Sequence, residues 1–329
     1  MLELTIALCI ALLFAAGVVA LMTWRARRQY PPLGKFVECD GVRLHYIERG
    51  KLNGPAVLLL HGNGALIQEQ TISGLVDLLA AKYRVLCFDR PGYGHSTRPR
   101  LRLWSPERQA DLFAKALGQL KVRHVTVLGH SWGTLVGIAL AVNSPELVRG
   151  LVLASGYYFP TKRVDVWLMS APAIPIVGDL FRFTLGPLLG RLFFWPVARF
   201  LFAPRPISDA FKGEYPVALA LRPVSLRASA EESAFMIPAA ARLQSEYPRL
   251  QSPVVIVLGE KDQLIEADQS YRLKEVLPRA VLRPVSDAGH MVNHAEPERL
   301  ANAVDLSTAW ADKRPSDNKG AIVKVDANG

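Results

Sequence analysis

The stretch VTVLGHSWGTLVGIAL, residues 125–140, sets a hydroxyl at the joint between a buried strand and a helix. Val125, Val127 and Leu128 form the short apolar, β-branched run of a strand entering an open sheet. Leu135, Ile138 and Ala139 then recur at helical spacing. Between the two runs, Gly129-His130-Ser131-Trp132-Gly133 matches G-x-S-x-G, in which the glycines remove side chains that would clash and the central residue occupies a strained turn. Ser131 is therefore expected on display at a strand end. Three fixed positions in five recur by chance, so the rest of the chain has to supply the partners of a serine nucleophile.

Working outward, FVECDGVRLHYIERG predicts a hairpin with Asp40-Gly41 at its turn. AVLLLHGNG is an apolar strand ending in glycines, followed by a helical stretch near residues 67–81, then YRVLCFDRPGYGHS and a helix near 105–120. Downstream come GLVLASG at 150–156, PVVIVLGEKD at 253–262, a helix near 266–277, AVLRPVSDAGH at 280–290 and a last helix over about 296–311. An antiparallel opening followed by alternating strands and helices implies an α/β protein, its mostly parallel sheet covered on both faces. Residues 160–245 break the rhythm with prolines and large apolar residues at helical spacing, which predicts a helical insertion over the strand ends.

A serine hydroxyl needs a base in reach and an acid to orient that base. His290 stands at the end of a predicted strand in SDAGHMVN, on the sheet edge where distant residues converge, and is the preferred base. His294 is the alternative, otherwise a partly exposed residue opening the last helix. His130 reads as packing; His45, His95 and His124 read as surface or turn residues. Asp262, in the loop after VVIVLG, is the preferred acid and Glu260 the alternative. The developing oxyanion needs preorganised donors. The backbone N–H of Trp132 offers one, and the loop His61-Gly62-Asn63-Gly64 offers another, from Asn63, with Gly62 and Gly64 allowing close approach.

HGNG at 61, DRPGYGHS at 89, GHSWGT at 129, GEKD at 259 and DAGH at 287, in this order, resemble the motifs of the α/β-hydrolase family. The resemblance spans about residues 35–311. It implies an eight-stranded, mostly parallel sheet, Ser131 as nucleophile, Asp262 as acid, His290 as base, and Asn63 with Trp132 as oxyanion donors. Asp89, Gly92, Gly94 and Ser96 would shape a turn beside the site, and residues 160–245 would be the cap that forms the substrate pocket. A serine at the elbow differs from haloalkane dehalogenases and epoxide hydrolases, which carry aspartate there. It fits acyl transfer to water through an acyl-enzyme, and a cap rich in Phe and Leu tethered beside a membrane suggests a hydrophobic, lipid-like ester. Carbon–carbon bond hydrolases, proline iminopeptidase-like and haloperoxidase-like enzymes of the same fold are the alternatives, and a non-catalytic ligand-binding homologue is a further one. For an aminopeptidase, Glu214, Glu231 and Glu232 are candidates to hold the substrate ammonium. No metal cluster, phosphate loop or cofactor is expected.

Leu4–Trp24 carries no charge and, as a helix, would be about 31 Å long, enough to span a bilayer. Arg25, Arg27 and Arg28 follow it, which predicts an anchor with the hydrolase on the cytoplasmic side. A cleaved signal would want a basic n-region and a shorter apolar run. The chain thus divides into an anchor with its basic flank (1–28), core (29–159), cap (160–245), core (246–311) and a polar tail (312–329). The formal charge of +10 comes without a nucleic-acid recognition motif. Arg182, Arg191, Arg199 and Arg205, set among apolar residues, are candidates to face anionic lipid or simply solvent. Cys9, Cys39 and Cys87 lack metal or redox spacing, read as small buried residues, and favour a reducing compartment.

Overall fold

The computed structural model describes residues 1–277 and 279–312. Beyond residue 312, the predicted polar tail lies outside the described residues. The chain opens with α1 (Leu2–Gln29), the hairpin β1 (Lys35–Cys39) and β2 (Val42–Gly50), then β3 (Ala56–Leu60), α2 (Ile67–Ile72), α3 (Leu75–Ala80), β4 (Arg84–Phe88) and α4 (Pro106–Gln119). It continues through β5 (Val125–His130), α5 (Gly133–Asn143) and β6 (Val148–Ala154) into a helical insert: α6 (Val164–Ser170), α7 (Val177–Phe183), α8 (Gly186–Phe202), α9 (Asp209–Glu214), α10 (Val217–Ala220) and α11 (Pro223–Leu243). It closes with β7 (Val254–Gly259), α12 (Asp268–Val276), β8 (Val281–Val285), α13 (Val292–Ala295) and α14 (Pro297–Asp312).

The eight strands form one sheet in the order β1-β2-β4-β3-β5-β6-β7-β8, antiparallel at β1-β2 and β2-β4 and parallel elsewhere. Side chains alternate faces along each strand. Leu58, Leu60, Leu86, Phe88, Val127, Leu151 and Ile256 join one core with α4 and α5. Their neighbours Val57, Leu59, Val85, Cys87, Leu128, Val152 and Val255 join a second core with α3 and α14. Both faces are thus covered, which is why these strands read as continuous apolar runs. The parallel register pairs Leu60 with Gly129 and His130 with Ala154, so β3, β5 and β6 end at one edge.

Three expectations are corrected. His45 is buried, not a surface residue, because the 89–97 turn folds over β2: its Nδ1 lies 2.7 Å from Asp89 Oδ2 and its backbone N–H donates to Ser96. Arg182 is buried against Asp179, and Arg205 pairs with Asp287 and Glu296, so neither is free to face lipid; Arg191 and Arg199 are exposed. Cys9 is exposed, because the first eleven residues of the chain lie beyond the part of α1 that packs on the protein.

Candidate active site

β5 delivers Ser131 through a turn of one residue. Its φ is +51°, in the left-handed region that a non-glycine residue rarely adopts. Two close approaches hold it there: a Cβ on Gly129 would stand 2.5 Å from the Gly133 carbonyl oxygen, and one on Gly133 would collide with the Leu60 carbonyl. The Ser131 backbone N–H donates to Ala154, tying the turn to β6.

His290, in the loop after β8, places Nε2 2.9 Å from Ser131 Oγ. Its Nδ1 lies 2.8 Å from Asp262 Oδ2, and both side chains are buried. The other carboxylate oxygen of Asp262 accepts the backbone N–H groups of Leu264 and Ile265 at 2.8 and 2.9 Å. The carboxylate is thus fixed from both sides. Glu260 points outward and accepts from the Tyr271 hydroxyl. The His294 ring packs between Phe202 and Phe211 within α13, before the last helix begins. The structure therefore brings Ser131, His290 and Asp262 together and leaves the two alternatives elsewhere.

The glycine loop after β3 lies against the serine, a Cβ on Gly62 falling 3.2 Å from Ser131 Cβ. Among the described residues no protein acceptor takes the backbone N–H of Asn63 or Trp132. The Asn63 side chain is already engaged: it donates to Ser229 and Ser233 of α11 and accepts from Tyr93. Only its backbone N–H is open to a ligand.

Sequence reading missed what sits behind this loop. Arg90 is fully buried and donates through Nε to the His61 carbonyl at 2.9 Å and through a terminal nitrogen to the Gly62 carbonyl at 2.8 Å. Its fork also grips Glu232, a fully buried residue of α11 that additionally accepts from Gln109 and shares the single Tyr93 hydroxyl proton with Asn63. The Glu232 carbonyl takes the Trp132 indole N–H at 3.0 Å. One residue of the insert thus holds Trp132 directly and the glycine loop through Arg90. Arg90 stood visibly inside DRPGYGHS, but Glu232 lies 142 positions away and nothing local pairs the two.

A second pair stands beside His290. Buried His130 meets Glu69 at 2.7 Å in a charge contact, and its Nε2 lies 3.0 Å from the His290 carbonyl. His130 does more than pack. Although burial disfavours its charged form, Glu69 holds its pKa above the ordinary histidine value. Glu69, despite its own burial, is held at about 2 by His130. His61 and His294 are driven the other way, each to about 4, chiefly by burial and then by the positive charge of Arg90 and of His130 respectively.

The sign of the pH dependence follows. His61 and His294 stay neutral in the fold while the unfolded chain protonates near 6.5, so stability falls as pH drops from about 6.5 towards 4. Glu69 adds a further loss between about pH 4.5 and 2. His130, with its raised value, contributes stability that is complete below about 6.5 and is lost as pH rises through its folded pKa. The urea midpoint is expected to peak near pH 6.5–7; a midpoint that keeps rising down to pH 5 would contradict this balance.

The family model described as alpha/beta hydrolase fold matches residues 55–297. Haloalkane dehalogenase 2 of Mycobacterium tuberculosis is 26% identical over 290 residues, covering 84% of this chain and 94% of that protein. Among solved structures, a bacterial membrane phospholipase A, described as a virulence factor, aligns with a TM-score of 0.66 at 22% identity, covering 95% of this chain and 98% of its own. The meta-cleavage product hydrolase of Pseudomonas fluorescens IP01 aligns with a TM-score of 0.68 at 20% identity, covering 86% and 100%. With more than half of the chain matched by the family model, on an eight-stranded, mostly parallel sheet, this protein belongs to the α/β-hydrolase family.

Proposed function

We propose that the protein is a serine hydrolase that cleaves a hydrophobic carboxylic ester through an acyl-enzyme. The observation that carries this reading is the unbroken chain Ser131 Oγ, His290 Nε2, His290 Nδ1, Asp262 Oδ2, with contacts of 2.9 and 2.8 Å. Ser131 attacks the ester carbonyl as His290 takes its proton, and Asp262 fixes the ring and balances the imidazolium. The backbone N–H groups of Asn63 and Trp132 receive the oxyanion. His290 returns the proton to the departing alcohol, then draws one from the water that frees the acid.

The position at which a dehalogenase carries its aspartate holds a hydroxyl here, which argues against halide displacement. An aminopeptidase would need a free carboxylate for the substrate ammonium. Glu232 is committed to Arg90, Glu231 to Arg98 and Arg227, and Glu214 is exposed. Phe202, Phe211 and Tyr215 of the insert pack with Leu66 and Met291, next to the glycine loop and His290, which favours an apolar acyl group. α1, which is long and apolar enough to cross a membrane, is proposed as an anchor with the hydrolase on its cytoplasmic, Arg25-bearing side. Protease digestion of sealed cells tests the side: protection is expected, and cleavage from outside would reverse it.

The test of function is hydrolysis of nitrophenyl esters from acetate to palmitate by the full chain in detergent, with Ser131→Ala as background. A serine-dependent rate that rises with chain length is expected. A rate confined to acetate, or no rate, would remove the lipid-like ester reading and favour a carbon–carbon bond hydrolase or a binding protein.

A further inference from the structure

A membrane anchor normally leaves its own protein behind once it enters the bilayer. α1 does not. Leu12, Val19, Met22 and Ala26 recur at spacings of three, four and seven, so they share one face, and that face turns onto the protein, with Val19 and Ala26 both 1% exposed. The partners are α7 and α10 of the helical insert. Val19 lies five residues inside Trp24, about 8 Å deeper along the helix at 1.5 Å per residue. Whatever covers Val19 shares its depth.

Around α7, what the insert shows to the outside is largely apolar, the exposed Asp165 of α6 being paired with Arg163. Trp167 and Leu168 on α6 and Ile176 and Val177 at the start of α7 are largely exposed, Ile176 at 82%. On α8, Leu192 and Phe193 belong to an exposed stripe, while Phe202 and Ala198 of the same helix are buried. Such a contiguous surface needs a partner. Its one acid on α7, Asp179, is neutralised by Arg100 and Arg182. The exposed cations sit at its margins, Arg25, Arg27 and Arg28 at the end of α1 and Arg191 and Arg199 beside the α8 stripe.

Geometry limits how far this surface can reach. The segments Val164–Ala173 and Val177–Phe183 meet at 84°, and as helices they are only about 15 and 10 Å long, against about 30 Å of hydrocarbon. They can lie in one leaflet but cannot cross.

We propose that the apolar face of α6, α7 and α8 is seated in one leaflet of an anionic phospholipid bilayer beside α1, with the marginal arginines at the headgroups. This rests on the anchor reading of α1. The occupant is lipid because the face adjoins the anchor through α7 and is flanked by Arg25, Arg27, Arg191 and Arg199, which pair with no acid among the described residues. The insert, not the sheet, then forms the membrane contact.

The test is nitroxide accessibility of the full chain in vesicles of phosphatidylcholine and phosphatidylglycerol. Cys9→Ala removes the exposed native thiol, and single labels go on Leu168→Cys, Leu192→Cys, Leu13→Cys of α1 and Glu275→Cys on α12 as the aqueous reference. Labels at 168 and 192 are expected to collide preferentially with oxygen, several-fold over a nickel chelate, as at 13 and opposite to 275. Water-like labels at 168 and 192 with a lipid-like label at 13 would overturn the proposal and leave the anchor standing. A water-like label at 13 would overturn both. Labels at 168 and 192 shielded from both reagents would mean that a second copy of the chain covers the face, and would also overturn it.

Discussion

Replacing Ser131 by alanine is expected to lower ester turnover by about five to six orders of magnitude, to the residual rate given by binding and oxyanion stabilisation alone. The alanine removes the attacking oxygen, and nothing else in the site can replace it: His290 faces Ser131 on one side and Asp262 on the other. His290→Ala should cost about as much, because an unassisted hydroxyl is a poor nucleophile at neutral pH. The double variant should be no worse than either single one, since the groups act as a unit. Asp262→Asn should cost about four orders of magnitude by favouring the wrong tautomer of His290. The variants should keep the wild-type thermal transition to within a few degrees. Single-turnover rates on a nitrophenyl ester check the series, and Ser131→Ala retaining more than a hundredth of the activity would remove the assignment.

Glu232→Gln is the second large effect, and it reaches the site from the insert. The pair with Arg90 is fully buried on both sides. Neutralising one partner leaves a buried guanidinium uncompensated, which costs about 3–5 kcal/mol in stability. Arg90 also holds the His61 and Gly62 carbonyls, and Glu232 holds the Trp132 indole through its own carbonyl. A shift of the guanidinium should therefore displace the loop that carries the Asn63 amide. In folded Glu232→Gln, measured below its lowered melting temperature, kcat should drop about tenfold or more, as for a misplaced oxyanion donor. KM for the same ester should change less. The double variant Arg90→Met with Glu232→Leu should regain stability, because neither charge of the pair is left without the other, but not kcat, because the loop carbonyls have lost their donor. Recovery of both would make the pair purely structural; an unchanged kcat in Glu232→Gln would show that the loop is held by other contacts.

The sheet was legible because its signal is local. Each strand is a short apolar run, and glycine pairs mark the turns at residues 61–64 and 129–133. The predicted helix near 67–81 is two short helices, α2 and α3, broken at Gly74, whose φ of +81° a helix cannot accommodate. The two preferred partners of Ser131 were legible for a topological reason: parallel strands end at one edge, so residues just past β7 and β8 converge on the one past β5. The buried charges were not legible. Glu69, Arg90, His130 and Glu232 look like ordinary polar residues along the chain, and their meaning comes from partners on other elements. His45 was misread for the same reason, since the turn that covers it is supplied by residues 89–97.

The most direct measurement on the central claim is mass spectrometry of the intact protein and its peptides after reaction with a fluorophosphonate. An activated serine attacks phosphorus, whereas an unactivated hydroxyl does not, so the result is independent of the natural substrate. The account predicts one adduct per chain, on the peptide that contains Ser131, abolished in Ser131→Ala and strongly slowed in His290→Ala. No adduct on the folded protein, or an adduct on another residue that persists in Ser131→Ala, would contradict it.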